Sequence, residues 1–249
     1  GTLGISVETG SGVFTIDAPV SLSANQTWTN SANPTTNPIR LILERTVTLG
    51  SRTLTFNGSG STRINGNIGG TGSLVKNQGG TLVLRGNNSF GGGITVNGGI
   101  LAANADANFG AGAITFGGGT LQIDADFSSD NTLSFAGAGT INTSGQHATF
   151  TGIVGGAGTL TKNGDGTLSL LGNTSGYSGT AVVNGGTLEV FVSTLPGSVT
   201  VNNGAFLSLN GDGNVNGVLA GTGTVNKYGS GNLTLNNSGN SYGSFGVPF

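Results

Sequence analysis

The chain has 249 residues, of which 50 are glycine and none is cysteine or methionine. Only 7% of the residues are charged and the net charge is −2, which excludes a coiled coil and predicts no basic surface for nucleic acid or anionic lipid. Without cysteine there can be no disulfide, thiolate metal site or cysteine nucleophile. No apolar run approaches about 18 residues, so we predict no membrane-spanning helix.

Short strand patterns follow one another along the chain, and no glycine-free window has the periodicity of a helix. Most of them place an apolar residue at every second position, with Thr, Ser or Asn between, as in half-buried strands. Asn-Gly and Gly-Gly pairs between them indicate turns. In chain order, the predicted strands are Val13–Ile16, Leu41–Leu43, Thr53–Phe56, Thr81–Leu84, Ile94–Val96, Ile114–Phe116, Thr120–Ile123, Thr167–Leu170, Ala181–Val183, Val199–Val201 and Leu233–Leu235.

These strands also recur as a block, whose clearest copies are residues 69–101, 155–188 and 220–249. Each copy opens with a glycine-rich stretch that ends in a lysine, continues with a turn and a Leu-x-Leu strand, and then has an Asn-rich turn with an aromatic residue. The lysines are Lys76, Lys162 and Lys227, and the aromatic residues are Phe90, Tyr177 and Tyr242. The copies are spaced irregularly, although the order of features within each is kept.

A recurring block of short strands cannot bury its apolar side alone, and stacking the next block on it does so. We therefore predict an all-β parallel β-solenoid with aliphatic ladders inside, Thr, Ser and Asn outside, and stacked asparagines at the corners. Coils of roughly 20–25 residues would give about ten to twelve coils. An antiparallel sandwich or barrel is the less favoured alternative. Residues 1–38 depart from the repeat and are predicted to be a cap or subunit-joining region; residues 39–249 form the repeats.

The block resembles the passenger-associated repeat of bacterial autotransporters. The best copy runs from Gly156 to Leu188, a second from Gly70 to Leu101, and a third begins at Gly221. The segment Ser23–Asn30 resembles the stretch that often precedes such repeats. The resemblance implies a right-handed parallel β-helix, secreted and located outside the cell or on the outer surface of a Gram-negative-type bacterium. That family usually has a C-terminal membrane β-barrel, for which Ser241–Phe249 is too short, so the resemblance implies either a fragment or another export route.

Few residues are available for catalysis. Asp124, Asp126 and Asp130 form the one acidic cluster, and Asp124 and Asp126 are expected to share one strand face. Enzymes of polysaccharides built on β-helices use clustered carboxylates, but no basic residue lies in this stretch, so we favour a solvated strand edge. His147 is the single histidine and has no neighbouring nucleophile or second metal ligand in the sequence. We assign no catalytic residue and predict that the chain is not an enzyme.

Two stretches have a faint likeness to calcium loops, Asn163–Gly166 and Asn210–Asn214. Both lack the bidentate glutamate and most of the oxygen ligands of an EF-hand, so they are predicted to be turns, and no metal or cofactor is assigned. The recurrence of lysine at one position of the block favours a structural role at a coil edge. Trp28 and the three repeat aromatics could stack on sugars, but packing of the corners is the favoured interpretation.

These observations predict a structural protein of the cell surface that acts in display, adhesion or the formation of extracellular filaments by end-to-end stacking. Its expected partners are further copies of itself and a host or glycan surface. The alternatives are a polysaccharide-degrading β-helix enzyme and a glycan-binding module.

Overall fold

The computed structural model describes residues 3–10, 12–32, 39–195 and 197–247. These residues form short strands and two 3₁₀ turns, η1 (Asp106–Asn108) and η2 (Val192–Thr194), and they contain no α-helix. The chain is divided into two compact units, unit 1 (Gly1–Gln122) and unit 2 (Ile123–Phe249).

Unit 1 is built from strands of two to five residues, in keeping with the short apolar–polar alternations of its sequence. Its strands are β1 (Leu3–Val7), β2 (Phe14–Ile16), β3 (Val20–Ser21), β4 (Gln26–Asn30), β5 (Ile39–Leu43), β6 (Val47–Gly50), β7 (Thr53–Asn57), β8 (Ser61–Ile64), β9 (Ile68–Gly70), β10 (Ser73–Lys76), β11 (Thr81–Leu84), β12 (Ile94–Val96), β13 (Ile100–Ala103), β14 (Ile114–Phe116) and β15 (Thr120–Ile123).

These strands form three stacks in which each strand pairs with one from the next coil of the chain. Stack I is β1-β4-β7-β10-β12-β14, stack II is β2-β5-β8-β11-β13-β15 and stack III is β3-β6-β9. The described pairs are parallel: Leu74 pairs with Leu54 on one side and with Ile94 on the other, one coil of 20 residues in each direction. Within the described residues of this unit, strands that are consecutive in sequence do not pair with each other, so the antiparallel sandwich or barrel is wrong and the parallel solenoid is confirmed.

Unit 2 has the same construction. Its strands are β16 (Phe127–Ser129), β17 (Leu133–Phe135), β18 (Gly139–Asn142), β19 (His147–Phe150), β20 (Val154–Gly156), β21 (Leu160–Asn163), β22 (Thr167–Leu170), β23 (Gly176–Tyr177), β24 (Ala181–Val183), β25 (Thr187–Phe191), β26 (Val199–Val201), β27 (Phe206–Asn210), β28 (Gly213–Val215), β29 (Leu219–Gly221), β30 (Thr224–Tyr228), β31 (Leu233–Leu235) and β32 (Ser244–Gly246). Stack IV is β17-β20-β23, stack V is β18-β21-β24-β26-β29, stack VI is β16-β19-β22-β25-β27-β30-β32 and stack VII is β28-β31.

The core of each unit consists of columns of apolar side chains that repeat once per coil. In unit 2, Leu168, Leu188, Leu207 and Val225 follow one another in register and are all fully buried. In unit 1, Leu54, Leu74, Ile94 and Ile114 form the equivalent column. Each such side chain gains roughly 2 kcal/mol from leaving water, and because every coil supplies only a few of them, a single coil could not be stable alone.

Asparagine ladders and close-packed glycines shape the corners. The amide of Asn77 donates to Asn57 at 3.2 Å and the amide of Asn97 donates to Asn77 at 2.9 Å. In unit 2 a matching ladder joins Asn163, Asn184 and Asn202, with distances of 2.9 and 2.6 Å. The predicted hydrogen bonding between stacked asparagines is therefore confirmed. At Gly166 a Cβ would lie 1.8 Å from the carbonyl oxygen of Gln146, so only glycine lets the coils approach this closely.

The two units together make about 12 turns, at the upper end of the predicted number. The right-handed sense of the coil stays a prediction. The described residues of the segment 1–38 include β1 to β4, and β1, β2, β3 and β4 pair in parallel with strands of a later coil. A capping or subunit-joining role for this segment also stays a prediction. Within the described ranges, no helix is long and apolar enough to cross a membrane.

Candidate functional site

The most unusual buried group of the fold is the repeated lysine, which lies at a corner between two strands. Lys162 is the third residue of β21, and residues 164–166 turn the chain into β22. Its neighbours in register are Ile141 and Val183, both buried, so the lysine occupies an inward position of an apolar column. Lys162 has no accessible surface. A charged side chain in such a position needs hydrogen-bond partners for its ammonium group.

Backbone carbonyl groups supply those partners. The Lys162 Nζ donates to the carbonyl oxygens of Asn163 at 3.1 Å and Gly164 at 2.8 Å, both in its own turn. It also donates to Gly185 O at 3.0 Å, in the turn of the following coil. An ammonium group has three protons to donate, and here each has an acceptor. The lysine therefore ties its own corner to the corner stacked on it.

The same arrangement occurs in unit 1. Lys76 Nζ donates to Asn77 O at 2.5 Å, to Gln78 O at 3.0 Å and to Gly98 O, in the following coil, at 3.4 Å. Lys227 in unit 2 donates to Tyr228 O and Gly229 O, each at 2.8 Å. All three lysines are buried. We call these three sites the lysine corners.

Burial is the main electrostatic influence on two of the lysine corners. It lowers the pKa of Lys76 from 10.5 to about 8 because the low-polarity surroundings disfavour the charged form. It lowers the pKa of Lys162 to about 8 as well, although the nearby Asp165 carboxylate acts in the opposite direction. A low lysine pKa is also a property of catalytic amines, but Lys76 and Lys162 are 2% and 0% exposed and both amines donate to main-chain carbonyl groups. Their chemistry is that of a structural clamp.

The lysine corners do not all lie on the same side of the coil. Within unit 2, Lys162 lies in stack V and its turn leads into stack VI, whereas Lys227 lies in stack VI and its turn leads into stack VII. The repeat block therefore specifies one corner and the strand on each side of it. In different copies of the block, that corner lies at different positions around the coil. This explains why the copies are irregularly spaced in the sequence.

Three of the four aromatic residues considered for sugar stacking are buried. Trp28 packs edge-on against Phe56 with ring centres 5.7 Å apart, and Phe90 has no accessible surface. The Tyr177 hydroxyl lies 2.9 Å from Gly158 O and 2.7 Å from Thr180 O, and it accepts from the Leu160 amide at 3.0 Å. Packing, the favoured interpretation, is confirmed for these residues. Tyr242 is half-buried beside Phe245, with ring centres 6.0 Å apart.

The acidic cluster differs from its prediction. Asp124 and Asp126 do not share a strand face, because β15 ends at Ile123 and both residues lie in the turn before β16. Aspartate disfavours strands and readily accepts backbone hydrogen bonds in turns, as the Asp126 carboxylate does from the His147 amide at 2.8 Å. Asp130 and His147 are exposed, like the other two aspartates. No described side chain hydrogen-bonds to the His147 ring.

The two stretches with a likeness to calcium loops are turns. Residues 164–166 connect β21 to β22, and residues 211–212 connect β27 to β28, as predicted. The Asn163 side chain is occupied in the asparagine ladder, and the Asn210 amide donates to Glu189 at 2.6 Å. Among the described residues, no group of three or more His, Asp or Glu side chains is placed to hold a metal ion.

A comparison with known families finds a match to part of the chain. The family model of the passenger-associated transport repeat matches residues 74–103 and 160–190. These two segments are similar to passenger-associated transport repeats. The resemblance inferred from the sequence is thereby confirmed. Each matched repeat contains one lysine corner and one buried repeat aromatic, Lys76 with Phe90 and Lys162 with Tyr177. No curated protein and no solved structure matches the chain.

Sequence reasoning recognised the lysines as structural but did not predict their burial. The signal was present in the spacing: Lys76, Lys162 and Lys227 each lie two residues after an inward Leu or Val, so they share its side of the strand. Their acceptors in the next coil lie 22 or 23 residues away, and only the stacking of the coils brings them together.

Proposed function

We propose that this chain is a structural passenger segment, secreted and displayed at the outer surface of a Gram-negative-type cell or released from it. The observation that supports this best is the lysine corner within each matched transport repeat: the distinctive residues of the repeat serve the stacking of coils. A solenoid that is stabilised locally, coil by coil, suits a protein that must fold after export.

Surface display can be tested with an epitope inserted in the exposed turn at Asn203–Gly204, in the full-length protein in its own host. The proposal expects antibody to label intact cells or to detect the protein in the medium. Labelling that requires permeabilised cells would contradict it.

We also propose that the chain is not an enzyme. All three clustered aspartates are exposed in turns or at strand ends, and both lysines of unit 2 are buried. The exposed His147 contacts the cluster through its backbone amide, which donates to Asp126. The competing enzyme function predicts turnover of a polysaccharide that is lost in the variant Asp124→Ala/Asp126→Ala. Turnover by the wild type and its loss in that variant would overturn this proposal.

Adhesion and filament formation are finer proposals within the same role. Phe245, which continues the inward column after Val225, is 41% exposed. A further coil laid on β32, from the same chain or from another copy, would bury it. Electron microscopy at micromolar concentration tests the second case: filaments are expected, and monodisperse monomers would contradict filament formation.

A further inference from the structure

The outer face of stack VI is the most regular surface of unit 2. Its strands β25, β27 and β30 have five residues each and pair in register over their whole length. Their inward residues are the buried leucine and valine columns, together with Lys227. The alternate positions form outward rows, so that Thr187, Phe206 and Thr224 share one row, and Phe191, Asn210 and Tyr228 share another.

Three aromatic side chains stand on this face, which we call the aromatic face. Phe191, Phe206 and Tyr228 are 40%, 41% and 38% exposed. Phe191 and Tyr228 are separated by two strand spacings, about 10 Å, and Phe206 lies at the opposite end of its strand, about 13 Å along it from Asn210. The two neighbours of Phe206 in its row are threonines, which are the usual solvent-facing residues of this fold. The apolar rings are therefore not required by strand formation at these positions.

A fixed carboxylate lies between the rings. The Ser169 hydroxyl donates to Glu189 Oε2, and the Asn210 amide donates to Glu189 Oε1 at 2.6 Å. Glu189 pairs in register with Ser208, whose side chain is buried. Apart from Glu189, the ionisable side chains on outward positions of the described part of stack VI are His147 and Tyr228. The lysines of unit 2, Lys162 and Lys227, are buried and are its only strongly basic residues.

We propose that the aromatic face binds a neutral, linear glycan chain. Exposed ring faces pack against the C–H faces of pyranose sugars, and a spacing of about 10 Å between two rings is close to the reach of two successive sugar units. Glu189 and Asn210, both half-buried, can accept hydrogen bonds from sugar hydroxyl groups and donate hydrogen bonds to them. The electrostatics select the class of glycan, since Glu189 repels an acidic polysaccharide and no exposed lysine or arginine of unit 2 offsets that repulsion.

This binding site is distinct from the aromatic residues that the sequence suggested. Trp28, Phe90 and Tyr177 are buried, while Phe191, Phe206 and Tyr228 are not among the features that recur in the block and lie on one outer face. The inference goes beyond the proposed structural role and does not depend on it, because a displayed solenoid need not bind glycans.

Native affinity electrophoresis tests the proposal, with galactomannan, xyloglucan and a soluble β-1,3-glucan as neutral probes and alginate as the acidic probe. The wild-type chain should be retarded by at least one neutral polysaccharide and not by alginate. The variant Phe191→Thr/Phe206→Thr/Tyr228→Thr should bind at least 10-fold more weakly. A matched control is Ile153→Thr, which removes an exposed apolar side chain of unit 2 that is outside stack VI and should bind as the wild type does.

Circular dichroism of each variant shows whether it is folded, and the threonine rows make loss of folding unexpected. The proposal is overturned if no neutral polysaccharide retards the wild type, if the triple variant binds undiminished, or if alginate alone binds. Analytical sedimentation without glycan tests whether another copy of the chain occupies this face instead. If the wild type self-associates, the triple variant does not, and neither binds glycan, the face is a contact between copies of the chain. Surface labelling of cells is unaffected by any of these outcomes.

Discussion

The lysine corners of unit 1 and unit 2 have almost the same hydrogen bonds although their turns differ in sequence. The turn after Lys76 is Asn-Gln-Gly-Gly, whereas the turn after Lys162 is Asn-Gly-Asp-Gly. Gln78 has φ of 56° and Gly164 has φ of 81°, so a left-handed residue follows at the same position in both. The acceptors are main-chain carbonyls in each case. The hydrogen bonds of the corner therefore depend on the lysine and on the path of the backbone. The other side chains of the turn can vary.

The third corner sharpens this comparison. Lys227 has two described carbonyl acceptors, both in its own turn, while Lys76 and Lys162 each have a third in the following coil. The third hydrogen bond joins two coils, whereas the first two lie within one corner. Comparing Lys227 with Lys76 and Lys162 therefore distinguishes the free energy of closing a corner from the free energy of stacking one corner on the next.

The largest effect is expected from removing a lysine. Lys162→Ala leaves three half-buried carbonyl groups without their donor and a cavity where the buried side chain lay, so we expect a loss of about 3 kcal/mol in the free energy of unfolding. Lys76→Ala should cost a similar amount, and Lys227→Ala should cost less because it breaks fewer bonds. Urea denaturation measures all three, and hydrogen exchange should show faster opening of the coils that contact the mutated lysine.

Lys162→Met separates packing from hydrogen bonding, because methionine retains most of the volume of lysine. We expect it to lie between the wild type and Lys162→Ala in stability. A methionine variant as stable as the wild type would show that the cost of burying the ammonium cancels its three hydrogen bonds, and would contradict the clamp.

The second effect is a dependence of stability on pH. Lysine in the unfolded chain titrates near 10.5, whereas burial lowers the pKa of Lys76 and Lys162 to about 8. Between these values the unfolded state binds more protons than the folded state, so stability rises with pH, by about 2 kcal/mol per lysine from pH 8 to pH 10. Thermal unfolding across this range should show the rise in the wild type. The variant Lys76→Met/Lys162→Met should lose it, and an equal rise in that variant would exclude the lysines as its cause.

The sequence predicted the parallel solenoid, the number of coils and the asparagine ladders because these follow from local periodicity and from a repeat that can bury its apolar side only by stacking. The acidic cluster was misplaced although the strand Thr120–Ile123 was predicted with its correct end, because Asp124 and Asp126 lie beyond that end in the turn before β16. The carbonyls around Lys162 and the group formed by Phe191, Phe206 and Tyr228 could not be predicted. Each brings together residues from different coils, and their register is fixed only in the folded chain.

A smaller effect is expected from the left-handed residue of the turn. Gly164→Ala puts a Cβ at φ of 81° and within 2.5 Å of the Ser144 amide nitrogen, so we expect a cost of roughly 1–2 kcal/mol. Gln78→Gly relieves the left-handed conformation in unit 1 but removes the bond from the Gly58 amide to the Gln78 side chain, 2.6 Å long, so its net effect should be near zero. Chemical denaturation measures the free energy of unfolding of both variants. An equal loss of that free energy in Gly164→Ala and Gln78→Gly would contradict the expectation and show that the two turns are not equivalent.

The smallest loss of stability that we expect to be measurable concerns the hydroxyl of Tyr177, since the corresponding repeat position in unit 1 is Phe90 and a ring alone suffices there. Tyr177→Phe should cost about 1 kcal/mol, because the Leu160 amide keeps its bond to Thr180 O at 2.9 Å when the hydroxyl is lost. Burial raises the pKa of Tyr177 to about 12, so the neutral phenol favours the folded state fully below pH 10, and that contribution is lost as the pH rises towards 12. Tyr177→Phe should therefore be less sensitive to pH than the wild type between pH 10 and 12 in thermal unfolding. Identical alkaline profiles would mean that the hydroxyl is not buried in solution, and the corner of unit 2 would then be stabilised by the same ring packing as that of unit 1.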